Sequence, residues 1–210
     1  TNMSGANFEK VLKGIDRDFA VSLTQRIVRI PSVVGDERAI GDALEASLKE
    51  LGIGSVWQEE VESGRSNVLW EVKGSQPGPK FLFTGHMDTK PVCEGWSRAP
   101  YGGEREGSRV YGHAVMDMKA GLVCQIAAMK AIVESGLEFG GTMTFAAVAD
   151  HMGQQKGSIA LFDRHSFDYA VLGELTNLQI TVAHRGRYYF DISTIGRSAH
   201  TCHKDKAVNA

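Results

Sequence analysis

Lys80-Phe81-Leu82-Phe83-Thr84-Gly85-His86-Met87-Asp88 is a short apolar run that ends on a histidine and an aspartate two residues apart. Such a run fits a buried strand whose carboxyl end delivers polar side chains to a site. In extended chain, residues two apart point to the same side, so His86 and Asp88 can face one place. A ligating imidazole commonly gives its second ring N–H to a carboxylate, which fixes the tautomer and raises basicity. The same pair also suits a purely structural hydrogen bond, and the segment alone leaves both readings open.

Working outward, two further apolar runs end in the same way. Thr142–Ala149 leads into Asp150-His151-Met152-Gly153, and Tyr169–Leu172 leads into Gly173-Glu174. Helical spacing predicts helices over Phe8–Ile30, stopped by Pro31, and over Glu37–Leu51, stopped by Gly52. Further helices are expected at Met118–Ser135 and from about Ser158 to Phe162, and strands at Ser55–Val61 and Asn67–Val72. Three buried strands ending in polar residues, with helices between them, predict an α/β fold. Its sheet is mostly parallel, is flanked by helices, and carries the site at its carboxyl edge.

Asp117 stands just ahead of the third predicted helix, where capping and the helix dipole favour a carboxylate. It is read either as a plain helix cap or as a bridge between two metal ions. Strand-end segments offering His, Asp or Glu without thiolate suit zinc, cobalt or manganese.

After Glu174 the pattern changes. Leu178–Ile195 alternates apolar and polar residues and predicts β structure with a bend at Arg185-Gly186, so a domain boundary is placed near Asn177. The expected division is 1–177 and 178–210, and the second piece is too short to fold alone, as if the chain were cut short. Thr1–Gly5 reads as a vector-derived remnant around Met3, with no signal pattern behind it.

Composition limits the function classes. The 210 residues are 42% hydrophobic and 23% charged, as in an ordinary soluble domain. A net charge of -2 gives no field for a phosphate backbone, so nucleic acid is not an expected partner. The three cysteines, Cys93, Cys124 and Cys202, form no C-x-x-C pair and read as reduced thiols of a cytoplasmic protein. The apolar stretch Ala120–Met129 is interrupted by Gln125 and is too short to span a bilayer, so no membrane role is expected.

Five ordered motifs carry a resemblance: Gly85-His86-Met87-Asp88-Thr89-Lys90-Pro91, Trp96 with Pro100, Tyr111-Gly112 through Asp117-Met118-Lys119, Gly173-Glu174-Leu175-Thr176, and Gly196-Arg197-Ser198-Ala199-His200. In these the chain resembles the M20 family of metallopeptidases and deacylases. That group includes acetylornithine deacetylase, succinyl-diaminopimelate desuccinylase, aminoacylase and glutamate carboxypeptidase.

The resemblance implies a zinc-peptidase-like catalytic domain followed by the start of a smaller α+β dimerisation domain. It implies one or two ions per chain, Zn2+ or else Co2+ or Mn2+. His86 would be a terminal metal ligand, Asp88 its orienting carboxylate, Asp117 the metal-bridging carboxylate and Glu174 the acidic ligand. His200 would reach a partner subunit's site in a homodimer and steady the reacting carbonyl oxygen of the substrate. The substrate implied is a small N-acyl amino acid or peptide, cleaved at an amide bond.

Two departures stand against this pattern. Where the family shows two consecutive glutamates, general base and then ligand, this chain has His151-Met152. His151 is therefore read as a replacement base, as a metal ligand, or as a plain polar residue. Met152 offers only a soft thioether, poorly matched to an ion otherwise held by carboxylates. His113, where the family shows arginine, reads as a loop residue, and His165, His184 and His203 as surface histidines. Three functions remain: a metal-dependent hydrolase, a catalytically impaired relative that keeps one metal site and acts as a binding protein, or a fragment of a longer enzyme.

Overall fold

The computed structural model describes residues 5–209, except for 184, 187 and 189 and for the side chain of Lys204. His184, expected at the surface, lies outside the described residues. The chain divides into two compact units, Thr1–Leu175 and Thr176–Ala210.

The first unit opens with helices α1 (Gly5–Lys13) and α2 (Arg17–Val28), where a single helix over Phe8–Ile30 was expected. The break has a local cause. Asp16 takes extended backbone and its carboxylate accepts the Phe19 N–H at 2.9 Å, so it caps a new helix instead of continuing the old one. Helix α3 (Arg38–Glu50), strands β1 (Ser55–Glu62), β2 (Arg65–Lys73) and β3 (Gln76–His86), and a small hairpin of β4 (Glu104–Glu106) and β5 (Arg109–Tyr111) follow. A wide helical turn, Val115–Lys119, leads into α4 (Ala120–Glu134), and β6 (Gly140–Val148), α5 (Lys156–Arg164) and β7 (Tyr169–Leu172) complete the unit.

The main sheet has the order β1-β2-β6-β3-β7. β3 runs parallel to both β6 and β7, and β2 is antiparallel to both β6 and β1. Four strands therefore point the same way and only β2 is reversed, which makes the sheet mostly parallel, as expected.

Alternation along the strands sorts the core onto two faces. Val68, Trp70 and Val72 of β2 and Met143, Phe145 and Ala147 of β6 pack with α2, α3 and α4. Leu69, Ala146 and Val148 turn the other way and meet Leu161 of α5. One expectation fails here. β7 is an exposed edge strand rather than a buried one, with Tyr169, Val171 and Leu172 all open to solvent.

In the second unit no strand forms over 178–195 among the described residues, although the alternation predicted β structure. Leu178, Ile180, Val182, Tyr188, Phe190 and Ile192 are instead exposed. A strand exists only through a ladder to a partner, and this unit supplies none to that segment. Its ordered features are a bridge between Arg197 and Val208 and a short helical turn, Thr201–Lys206.

Candidate metal centre

β3 ends on His86, which is almost fully buried at the carboxyl edge of the sheet. Its position depends on the glycine before it. A Cβ at Gly85 would overlap the Met118 methyl group and crowd Leu122, so glycine here lets the Met118 side chain lie against the end of β3. Met118 Sδ then accepts the His86 backbone N–H at 3.2 Å. The same close approach recurs at Gly121, whose Cβ would strike the Gly173 carbonyl, and brings the segment carrying Glu174 against the start of α4.

Around His86 the side chains converge. Its Nδ1 lies 2.8 Å from the backbone carbonyl of Asp88, so Nδ1 carries the proton and donates it. Its Nε2 is 3.1 Å from Asp117 Oδ1 and 3.4 Å from Glu174 Oε1. The His151 ring stacks on the His86 ring, with centroids 4.4 Å apart and planes 9° apart, and His151 Nε2 stands 3.8 Å from Glu174 Oε1. One donor atom each from His86, His151 and Glu174 lies within 4.8 Å of the others.

Electrostatics reinforce the geometry. Burial pushes the His86 imidazole down, but its hydrogen bonds to Glu174 and the Asp88 carbonyl outweigh that and hold its pKa above the usual value. Asp117 is nearer, yet its side chain is half exposed and solvent screens its pull. The hydrogen bond from His86 holds Glu174 below the usual carboxylate range, although burial opposes this. A neutral Nε2 lone pair facing two carboxylate oxygens would be repelled. The cluster needs a positive charge at its centre, a proton or a metal ion, and a mixed nitrogen and oxygen donor set of this kind fits a zinc-type ion.

Two pairings differ from expectation. Asp88 keeps its carboxylate 3.8 Å from His86 Nδ1 but bonds the ring through its main chain. That carboxylate, fully buried, accepts the backbone N–H groups of His151 at 3.0 Å and Met152 at 2.7 Å, while the main-chain carbonyl holds the ring. Asp117 does not cap α4 either. Its backbone is extended rather than helical, and its carboxylate turns to His86. Of the remaining histidines, His113 meets the Lys90 carbonyl at 2.8 Å. His165 is half-buried and paired with Glu59 at 2.8 Å, against the expected free surface position. His200 and His203 belong to the second unit, where His203 N donates to the His200 carbonyl.

Sequence reasoning missed the groups that hold this site in place. Lys119 is completely buried and its ammonium donates to the Ile27 and Ile30 carbonyls at 3.0 and 2.8 Å, closing the end of α2. Arg65 reaches Glu37 at 2.7 Å and Asp150 at 2.8 Å. Asp150 in turn accepts the backbone N–H groups of Gln154 and Lys156. The loop carrying His151 is thus tied down by Glu37, Asp88 and Asp150 together.

The buried lysine gives a pH signature. Burial lowers the Lys119 pKa to about 8, whereas in the unfolded chain it sits near 10.4. The folded protein therefore binds this proton more weakly, and stability rises as pH climbs from about 8 to about 10.4, by up to about 3 kcal/mol. Lys119→Met is expected to remove that rise, and also to lose about 1–3 kcal/mol by orphaning two buried carbonyls. Urea unfolding of both proteins at pH 7, 8.5 and 10 checks this; parallel pH curves would refute it.

The Peptidase family M20/M25/M40 matches residues 82–207, more than half of the chain. The chain belongs to this family. It is 31% identical to the succinyl-diaminopimelate desuccinylase of Methylobacterium radiotolerans, over 91% of this chain and 53% of that protein. It is 30% identical to the same enzyme of a Bradyrhizobium species, over 90% of this chain and 53% of that one. The chain spans about half the length of the curated relatives it matches. Among solved structures, the M20 metallo-carboxypeptidase Sso-CP2 from Sulfolobus solfataricus superposes with a TM-score of 0.64 at 17% identity. That match covers 75% of this chain and 37% of that one. Human carnosine dipeptidase 1 gives 0.60 at 20% identity, covering 78% and 40%. These two share the fold. The Gly85–Asp88, Asp117 and Glu174 segments all fall inside the family match.

Proposed function

We propose that this chain is the metal-binding part of a metal-dependent hydrolase that cleaves an amide bond in an N-acyl amino acid or a small peptide. The observation that carries the reading is the convergence of His86 Nε2 with the Asp117 and Glu174 carboxylates at the carboxyl edge of the sheet. The similarity to desuccinylases supports a substrate among acylated amino acids.

His86, Asp117 and Glu174 would hold a zinc-type ion, with cobalt or manganese as alternatives. When bound, such an ion polarises a carbonyl and lowers the pKa of water. The chain's own residues do the positioning. The Asp88 carbonyl fixes the His86 tautomer so that Nε2 faces the two carboxylates. Residues 178–210 are assigned to a second, dimer-forming domain, and His200 to the partner subunit's substrate in a homodimer. A cytoplasmic setting accords with three exposed free thiols, and no helix among the described residues is long and apolar enough to cross a membrane.

A second reading has its own support. His151-Met152 stands where the family pattern has two glutamates, so a relative that binds metal but turns over little substrate is the alternative. Hydrolysis of N-succinyl and N-acetyl amino acids, with added Zn2+ or Co2+, separates the two. Turnover that is lost in Glu174→Gln supports the hydrolase. Metal binding without any turnover, in the full-length gene product, overturns it in favour of the binding protein.

A further inference from the structure

Position 151 carries an imidazole where the family pattern has a carboxylate, and its geometry assigns it a role. A general base stands back from the ion by the length of a water molecule. His151 stands among the donor atoms themselves. Its ring lies flat on His86, and both rings direct Nε2 at the same carboxylate oxygen, Glu174 Oε1, at 3.4 Å from His86 and 3.8 Å from His151. Zinc–ligand bonds of about 2.0–2.1 Å in a tetrahedron set neighbouring donor atoms about 3.3 Å apart. The two separations lie close to that spacing, and because an imidazole lone pair lies in the ring plane, a turn of the His151 ring off the stack completes the set.

The backbone beneath His151 is also fixed. The buried Asp88 carboxylate holds the His151 and Met152 amides, and Asp150 holds those of Gln154 and Lys156. The backbone that presents this imidazole is thus preorganised, as a ligand requires.

We infer that His151 is a metal ligand in this chain, so that His86, His151 and Glu174 form a two-imidazole, one-carboxylate centre for a single divalent ion. This rests on the metal-site reading above and sharpens it. Asp117, half exposed and 3.1 Å from His86 Nε2, stands beside these three as the fourth donor. Met152 adds no hard donor for a second ion, so the stoichiometry is one per chain. A second imidazole donor also shifts preference toward zinc, cobalt and nickel and away from manganese and magnesium.

The test is calorimetric titration of the purified chain with Zn2+, and with Co2+ while recording the visible spectrum. The unmodified chain is expected to bind one ion. His151→Ala should weaken Zn2+ binding by at least about 100-fold, beyond what loss of an outer partner does, and should change the Co2+ spectrum. His151→Gln, close in shape and checked for folding by circular dichroism, should behave likewise, and Met152→Leu should leave both readouts unchanged. If His151→Ala and His151→Gln bind Zn2+ as the unmodified chain does, with the same Co2+ spectrum, while Glu174→Gln loses binding, His151 is not a ligand and the metal site itself still stands. If the unmodified chain takes up no ion at all, the metal-site reading falls and this inference with it.

Discussion

Arg65→Leu is expected to destabilise the first unit by about 3–5 kcal/mol, because it leaves two buried carboxylates without their shared cation. Glu37 is 1% exposed and Asp150 5% exposed, and Arg65 bridges them with distances of 2.7 and 2.8 Å. Leucine keeps some of the apolar contact of the arginine stem but returns no positive charge, so the two acids face each other in a poorly solvated pocket.

The pH dependence has a definite sign. Burial raises the Asp150 pKa, but the Arg65 hydrogen bond and the Lys156 and Gln154 amides outweigh it and hold it below the usual value. The stability this contributes is present above the unfolded pKa of about 3.9 and is lost as pH falls through the lower folded value. In Arg65→Leu that acid-side loss should disappear, since protonating Asp150 then relieves repulsion. Urea unfolding at pH 7, at pH 4 and at about pH 2.5 measures both effects. A loss below about 1 kcal/mol at pH 7 would mean that water reaches the acids and the bridge matters little. Adding Asp150→Asn to Arg65→Leu should recover part of the loss.

Asp88→Ala is the second large effect. It removes the acceptor of the His151 and Met152 amides at 3.0 and 2.7 Å inside a fully buried pocket. Each orphaned amide costs about 1–3 kcal/mol, so the expected loss is about 2–5 kcal/mol in stability. Metal affinity should fall about 10–100-fold as well, because the loop that presents His151 loses its anchor. Asp88→Asn retains one oxygen acceptor and is expected to restore roughly half of the stability. The result that would sink this account is a metal affinity unchanged in Asp88→Ala despite clear destabilisation. The carboxylate would then serve the loop and not the site.

Both variants act on residues whose importance differs in how far it can be read from the chain alone. Asp88 sits inside the Gly85–Asp88 motif, and its spacing from His86 marked it at once. Its actual partners could not be read there, because they lie 63 and 64 residues away on the loop after β6. Arg65 had no mark at all. It begins a strand, looks like a surface residue, and gains meaning only through Asp150, 85 residues later. Lys119 belongs to a recognised motif, but its burial against the end of α2 comes from a contact spanning about 90 residues.

Local chemistry alone settled a good deal for this protein. Apolar runs closed by polar residues marked β3, β6 and β7, helical spacing marked α3 and α4, and His86, His151 and Glu174 at strand ends, with Asp117 ahead of α4, marked the candidate site. Those features are local, since periodicity and turn residues act over a few positions. Tertiary structure decided the rest. It reversed β2, left β7 as an exposed edge, gave residues 178–195 no ladder among the described residues, and set the Asp88 carboxylate between His86 and the amides of the loop at 151. It also laid His151 flat on His86. Hydrogen-bond partners and ring contacts depend on which distant segments share one buried edge of the sheet, and no pattern within a single segment encodes that choice.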